Sequence, residues 1–342
     1  MRALYFLGPG QLEWRETPEP RLLSRSDALV RPIAVASCDL DTGLIHGSVP
    51  FAGPFPLGHE GVAEVLAVGD DVTSVTVGDR VIVPFQISCG RCDRCQRGLT
   101  GSCRAQPAGA MYGFEPFGGS WGAFIADLVR VPWADAMLVR LPSGVDPVSV
   151  ASMSDNIPDG WRTVGPGLAD IPDGSVLIVG GAGPSIPFYA IAVARALGAA
   201  TVSYADSDPG RLAKAERLGA VPVEGYQQRP IDSFSLTVCT SSERDALRYA
   251  LKSTEPDGTC TCNTIFFDGD VALPMLEMYT RGVSLVTGRV NARAVIPAVL
   301  DLVTSGSLRP AEVTDVVAGW DDAIAALTAG PNKVVLHRPA QT

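Results

Sequence analysis

The sequence predicts an α/β chain in two domains, one β-rich and one built on a parallel, doubly wound six-stranded sheet. Three observations predict it. The 342 residues are too many for one ordinary core. Residues 1–150 are dominated by β-branched runs cut by Gly, Pro and Asp. From residue 160 onward, short apolar runs alternate with segments of helical spacing, the pattern of strand–helix–strand units.

In the first part "ALVRPIAVAS", "GVAEVLAVG" and "DRVIVPF" read as strands, and "VGDDVTSVTVGDR" supplies turn chemistry between two of them. Helical periodicity is weak there. In the second part "SVLIVG" (175–180), "TVSYAD" (201–206), "SLTVCT" (235–240), "TCTCNTI" (259–265) and "VSLVTG" (283–288) read as strands. Between them "PFYAIAVARALGA", "PGRLAKAERLGA", "SERDALRYALK" and "LPMLEMYTRG" read as helices. After residue 290 come two further helices, "ARAVIPAVLDLVTSG" and "DDAIAALTAG", and a last strand, "KVVLHRP"; these are extra to the sheet and are expected to return to the first domain.

The composition is that of an ordinary globular chain, 46% hydrophobic and 19% charged. A net charge of −10 argues against nucleic acid and against anionic membrane surfaces as partners. No apolar run has the length of a membrane span, and "MRALYFLGPG" is broken too early for a signal peptide, so a cytoplasmic protein is expected. In such a chain eight cysteines read as metal ligands or core thiols rather than as a disulfide framework.

"CGRCDRCQRGLTGSC" places Cys89, Cys92, Cys95 and Cys103 within one short segment. Four thiolates so close in sequence can surround one ion tetrahedrally, and a closed sulfur shell suits a structural Zn²⁺ with no open position. Four free thiols or two disulfides would be the alternatives, and a compact loop rich in Gly and Arg suits neither. Arg91, Arg94, Arg97 and Arg104 offset part of the negative charge of such a unit, or are plain solvated charges.

"IVGGAGPSIP" follows a strand and opens a helix. Gly181 and Gly183 allow the tight turn and the close approach of a pyrophosphate, and Pro184 suits a first helical turn. The third glycine of the usual fingerprint is missing, its place taken by Ile186. Asp206 ends the next strand, where an acid accepts hydrogen bonds from a ribose 2′-hydroxyl; a carboxylate there repels a 2′-phosphate, which favours NAD(H) over NADP(H). The alternative for Asp206 is a turn or capping acid before "SDPGRL". Cys38, near the end of a β-run, and His59, between glycines beside Glu60, suggest a second, mixed metal site, or read as a core thiol and a hydrogen-bonded histidine.

These marks in this order (Cys38, "GHE" at 58–60, the four-cysteine lobe, the βα fingerprint and "GRVNARAVIPAVLDLVTSG" at 288–306) resemble the zinc-containing medium-chain dehydrogenase/reductase family, of the alcohol dehydrogenase type, over essentially the whole chain. The resemblance implies a GroES-like catalytic domain at 1–157 and 290–342, with the zinc lobe at 89–103, interrupted by a Rossmann domain at 158–289. It implies two zinc ions per chain. One is held by Cys38, His59 and a carboxylate in "SMSDNIPDGWRTV", assigned to Asp155 by likeness to the secondary-alcohol branch. Asp155 otherwise reads as a helix N-terminal acid. The resemblance further implies that Asp41 orients the zinc-binding histidine, that Glu60 stands behind the metal, that Arg211 lies at the adenosine ribose and that Lys333 lies near a cofactor phosphate. Leu40, Phe85 and Trp121 fall at the substrate pocket or are plain core. Cys239, Cys260 and Cys262 read as core thiols. The expected assembly is a homodimer or homotetramer acting on a small molecule.

The sequence departs from the family in one respect. Members commonly carry Ser or Thr two places after the zinc cysteine and His five places after it, and the pair relays the alcohol proton. Here the positions are Leu40 and Gly43, neither of which carries a proton to pass. Three outcomes are open: another proton route, with His46 as one candidate; a substrate such as an iminium or activated alkene that needs no relay; or a weakly catalytic, zinc-stabilised nucleotide-binding relative.

Overall fold

The computed structural model describes residues 1–181, 183, 185–227, 233–267 and 269–338. The chain forms two compact units: Met1–Pro158 with Val290–Thr304 and Val313–Thr342, and Asp159–Arg289 with Ser305–Glu312. The short segment 305–312 thus goes with the second unit, where the sequence reading assigned it to the first.

The first unit holds two sheets. Strands β1 (Arg2–Gly8), β2 (Gln11–Glu16) and β4 (Phe55–Pro56) form a three-stranded sheet in the order β2-β1-β4. The larger sheet runs β15 (Val316–Gly319), β16 (Val334–His337), β3 (Ala28–Ala36), β5 (Glu60–Val68), β6 (Arg80–Val83) and β8 (Val139–Arg140), with β7 (Val129–Val131) paired to β3. The tail strand β16 returns to lie antiparallel to β3, pairing Val335 with Ala36. Between the sheets Val30, Val35, Val65 and Leu336 meet Phe6, Phe55 and Phe124 in one buried cluster.

The second unit is a six-stranded parallel sheet in the order β11-β10-β9-β12-β13-β14, the doubly wound arrangement. Its strands are β9 (Ser175–Val179), β10 (Thr201–Asp206), β11 (Val221–Glu224), β12 (Phe234–Cys239), β13 (Thr254–Cys262) and β14 (Ser284–Thr287). Central strands covered on both faces need unbroken apolar runs rather than alternation, and Val176–Val179 are all fully buried. Edge strand β11, "VPVE", is mostly exposed and carries a proline, so it lacks the apolar run that marks the other five strands. Cys239, Cys260 and Cys262 are buried core thiols of β12 and β13. Among the described residues no helix is long and apolar enough to cross a membrane.

Candidate metal and nucleotide sites

The segment after β3 folds as a helix, Asp39–Ile45, where the sequence suggested only the end of a β-run. Cys38 is its N-cap. The Cys38 sulfur accepts from the Leu40 N–H at 3.5 Å, and Asp41 returns the favour by accepting the Cys38 N–H at 3.0 Å. This reciprocal capping box uses a thiol where serine or threonine is usual. His59 precedes β5, and Asp155 sits between the 3₁₀ turn Ala151–Ser154 and the helix Asn156–Asp170.

These pieces converge. One ligand atom each from Cys38, His59, Glu60 and Asp155 lies within 4.8 Å of the others. Asp155 Oδ2 is 3.4 Å from both Cys38 Sγ and His59 Nε2. On the far side of the ring, His59 Nδ1 is 3.6 Å from Asp41 Oδ1. Burial works against a charge on His59, but the Asp41, Asp155 and Glu60 carboxylates outweigh it and lift the imidazole to about 9. Burial pushes the Cys38 thiol well up, and the surrounding carboxylates add to the effect. Burial also raises Glu60 to about 8, against the pull of Lys333. Such a set of sulfur, nitrogen and carboxylate donors, buried and crowded with acidic groups, fits a divalent cation, which is what makes thiolate and carboxylates tolerable together.

Lys333, which the resemblance puts near a cofactor phosphate, has its described partners within the first unit. Its side chain is fully buried, with Nζ donating to the Ser37 carbonyl, to Glu60 Oε2 at 3.2 Å and to Asn156 Oδ1 at 2.9 Å. It is a counter-charge behind the cluster. Nothing local in the sequence signals this, because Lys333, just before β16, reaches Ser37 across 296 positions. Asn156, adjacent to Asp155, was likewise passed over; an Asn opening a helix reads as a cap.

Phe85 tilts over His59 with ring centroids 5.8 Å apart, while Leu40 and Trp121 pack partly buried on the first unit's core. His46 is exposed at the C-terminal end of Asp39–Ile45. Eight residues of helical rise put it about 12 Å along the axis from Cys38, too far to serve as a relay without intermediaries. Restoring histidine at position 43 meets an obstacle, since a Cβ there would lie 2.6 Å from Val49 Cγ2 and 3.2 Å from Ser48 Oγ. Gly43→His is expected to lower stability by about 1–3 kcal/mol, and Val49→Ala to recover part of that. Thermal unfolding of the single and double variants checks this; an unchanged midpoint for Gly43→His would contradict it.

Cys89, Cys92, Cys95 and Cys103 also bring their sulfurs within 4.8 Å of one another, and all eight cysteines are free of disulfides. Backbone N–H groups of Cys95 and Arg104 hold the Cys92 thiol down at about 6, whereas burial lifts Cys95 to about 12. The four thiols fit a closed metal shell. Cys103→Ser is expected to expose this lobe to trypsin at Arg91, Arg94 and Arg97. A digestion pattern identical to the unaltered protein's would show that the lobe holds its shape without the fourth sulfur.

In the second unit, a Cβ on Gly181 would lie 2.8 Å from Ser241 Cα, so only glycine fits there. Ser185, the N-cap of helix Ile186–Ala196, is fully buried with its hydroxyl unpartnered among the described residues. A glycine turn into a helix N-terminus with such a hydroxyl fits an anionic group. Gly183 is partly buried and Ile186 also stands partly exposed, while Pro184 lies outside the described residues.

Asp206 is fully buried at the end of β10. Its Oδ1 accepts from Arg211 Nη2 at 2.7 Å and from the Asp208 N–H at 2.9 Å; its Oδ2 accepts from Arg211 Nε at 2.8 Å and from the Tyr204 hydroxyl at 2.7 Å. Burial alone would raise its pKa, but Arg211, Tyr204 and the Asp208 N–H hold it below the usual carboxylate range. Four donors fill the acceptor sites of one carboxylate. A ribose hydroxyl must therefore displace one of them.

A β-rich unit with two metal-fit clusters and a doubly wound parallel sheet define the alcohol dehydrogenase type of architecture. Residues 24–143 match the family described as Alcohol dehydrogenase GroES-like domain. An NADP-dependent isopropanol dehydrogenase from Thermoanaerobacter brockii is 30% identical over 289 residues, 81% of this chain and 80% of that protein. A glutathione-independent formaldehyde dehydrogenase from Pseudomonas aeruginosa is 33% identical over 231 residues, 64% of this chain, and the match spans only 57% of that relative's length. The solved structure of alcohol dehydrogenase TADH from Thermus sp. ATN1 superposes with a TM-score of 0.88 at 29% identity, covering 99% of this chain and 100% of that one. The chain belongs to the zinc-containing medium-chain dehydrogenase/reductase family.

Proposed function

We propose that the protein is a zinc-dependent oxidoreductase that moves a hydride between NAD(H) and an alcohol or carbonyl compound. The convergence of Cys38, His59, Asp155 and Glu60 within 4.8 Å is the observation that carries this reading. Cys38, His59 and Asp155 would hold the ion, with Glu60 behind it and Asp41 keeping the imidazole in place. Zinc bound there would supply Lewis acidity toward a substrate oxygen, and the nicotinamide would supply or take the hydride. A second zinc in the four-thiol lobe would be structural.

Gly181, Gly183, Pro184 and Ser185 would cradle the dinucleotide phosphates, and Asp206 with Arg211 would meet the adenosine ribose. Asp206 and Asp208 set two carboxylates against the single Arg211 guanidinium, a net negative patch that supports NAD(H) over NADP(H). Leu40 passes no proton, so the alcohol proton leaves through water or a hydroxyl of the substrate or ribose. The same Leu40 favours a second reading, reduction of an iminium or activated alkene, in which no alcohol proton has to be relayed. A dimer or tetramer is the proposed assembly.

The test is a panel of primary and secondary alcohols, aldehydes, ketones, imines and enones, run with both dinucleotides while nicotinamide absorbance is followed. Alcohol or carbonyl turnover with NAD(H) supports the first reading. An amine or saturated carbonyl as sole product supports the second. Binding of neither dinucleotide removes both.

A further inference from the structure

Asn156 is fully buried and links the Lys333 ammonium directly to Cys38 and Asp155 of the mixed cluster. Its Oδ1 accepts from Lys333 Nζ at 2.9 Å, while its Nδ2 donates to Cys38 Sγ at 3.2 Å and to Asp155 Oδ2 at 3.3 Å. The two ends of an amide are nearly the same shape, so its orientation has to be argued from its partners. An ammonium has three donors and no acceptor. The end facing Lys333 must therefore be the oxygen, which turns both N–H bonds toward the thiol and the carboxylate. The ammonium is itself pinned by the Ser37 carbonyl and by Glu60, so neither partner is free to let the amide turn over.

We propose that Asn156 is a positioning residue for the mixed cluster, a polarised amide that donates hydrogen bonds to Cys38 and Asp155 and so sets how both present their electron pairs to zinc. This rests on the zinc reading of that cluster. Donation to a coordinating thiolate draws charge away from sulfur and leaves the ion a stronger acceptor for a substrate oxygen. The Leu40 N–H is a second, longer donor to the same sulfur. Asn156 acts only through these neighbours, and its hydrogen bonds also fix Asp155, the first residue before a helix, against swinging out of the cluster.

The experiment uses the full-length metal-loaded protein with Co²⁺ exchanged into the mixed site and zinc kept in the four-thiol lobe as an internal standard. Asn156→Leu removes both ends of the link. Asn156→Asp keeps the shape and the acceptor toward Lys333 but removes the N–H donors, and is the variant to read if the leucine form does not fold. In both, the sulfur-to-cobalt charge-transfer band is expected to move to lower energy. In Asn156→Leu, affinity at the mixed site is also expected to fall about 10–100-fold with the lobe unaffected. A folded variant whose band and affinity equal those of the unaltered protein would overturn the proposal while leaving the zinc reading intact. An unaltered protein that takes up metal only in the four-thiol lobe would overturn both.

Discussion

Replacing Cys38 by Ser is expected to remove the ion of the mixed cluster, leave that of the four-thiol lobe, and lower kcat/KM about a thousandfold or more. The magnitude follows from the several kcal/mol a metal contributes to a developing charge, at about 1.4 kcal/mol per factor of ten. The loss arises in two ways at once. A hydroxyl is a poorer ligand than a thiolate, and without the ion Asp155 and Glu60 would lose the positive charge that makes their proximity tolerable. Metal content per chain and steady-state kinetics on the same preparation check it. Retention of both ions with unchanged kinetics would remove Cys38 from the site. Loss of activity with both ions retained would assign it a different part.

Lys333→Met is expected to lower stability by about 3–5 kcal/mol, the usual cost of stripping one partner from a buried pair. Lys333 and Glu60 are both fully buried, so bulk solvent does not replace the ammonium beside the carboxylate. The same substitution orphans the Ser37 carbonyl and the Asn156 oxygen. Glu60→Gln in the same chain should recover part of the loss, because a neutral amide needs no counter-charge; a coupling of about 0.5–3 kcal/mol between the two is the expected range. Denaturant unfolding of the two single variants and the double variant measures it. Strict additivity would show that the two groups, though 3.2 Å apart, do not depend on each other.

The sequence made some of this legible and hid the rest for definite reasons. The four-thiol lobe and the strand–helix alternation are local patterns, so spacing and periodicity suffice to see them. Asp155 was reachable through the likeness of its segment to relatives, although nothing in "SMSDNIPDGW" alone separates a ligand from a helix-opening acid. The helix Asp39–Ile45 was missed because its cap is a cysteine and its first turn, "DLDTG", holds a glycine that speaks against helix. The partners of Lys333 are hidden from the sequence because they lie in three other segments, the nearest of them Asn156, 177 positions away. Asp206 was found but its state was not: residue type announces an acceptor and says nothing of Tyr204 and Arg211 having already filled it.

The thiol cap of the helix Asp39–Ile45 carries one more implication. The sulfur proposed to anchor the metal also closes the first turn of that helix, so on that reading ion occupancy and backbone order there share a single fastening. Amide exchange at Leu40, Asp41 and Thr42 should slow when zinc binds and quicken when a chelator draws it off, while amides in the four-thiol lobe report their own ion separately. Metal loading of this enzyme-like site would then be readable from its backbone alone, with no substrate, cofactor or colour required.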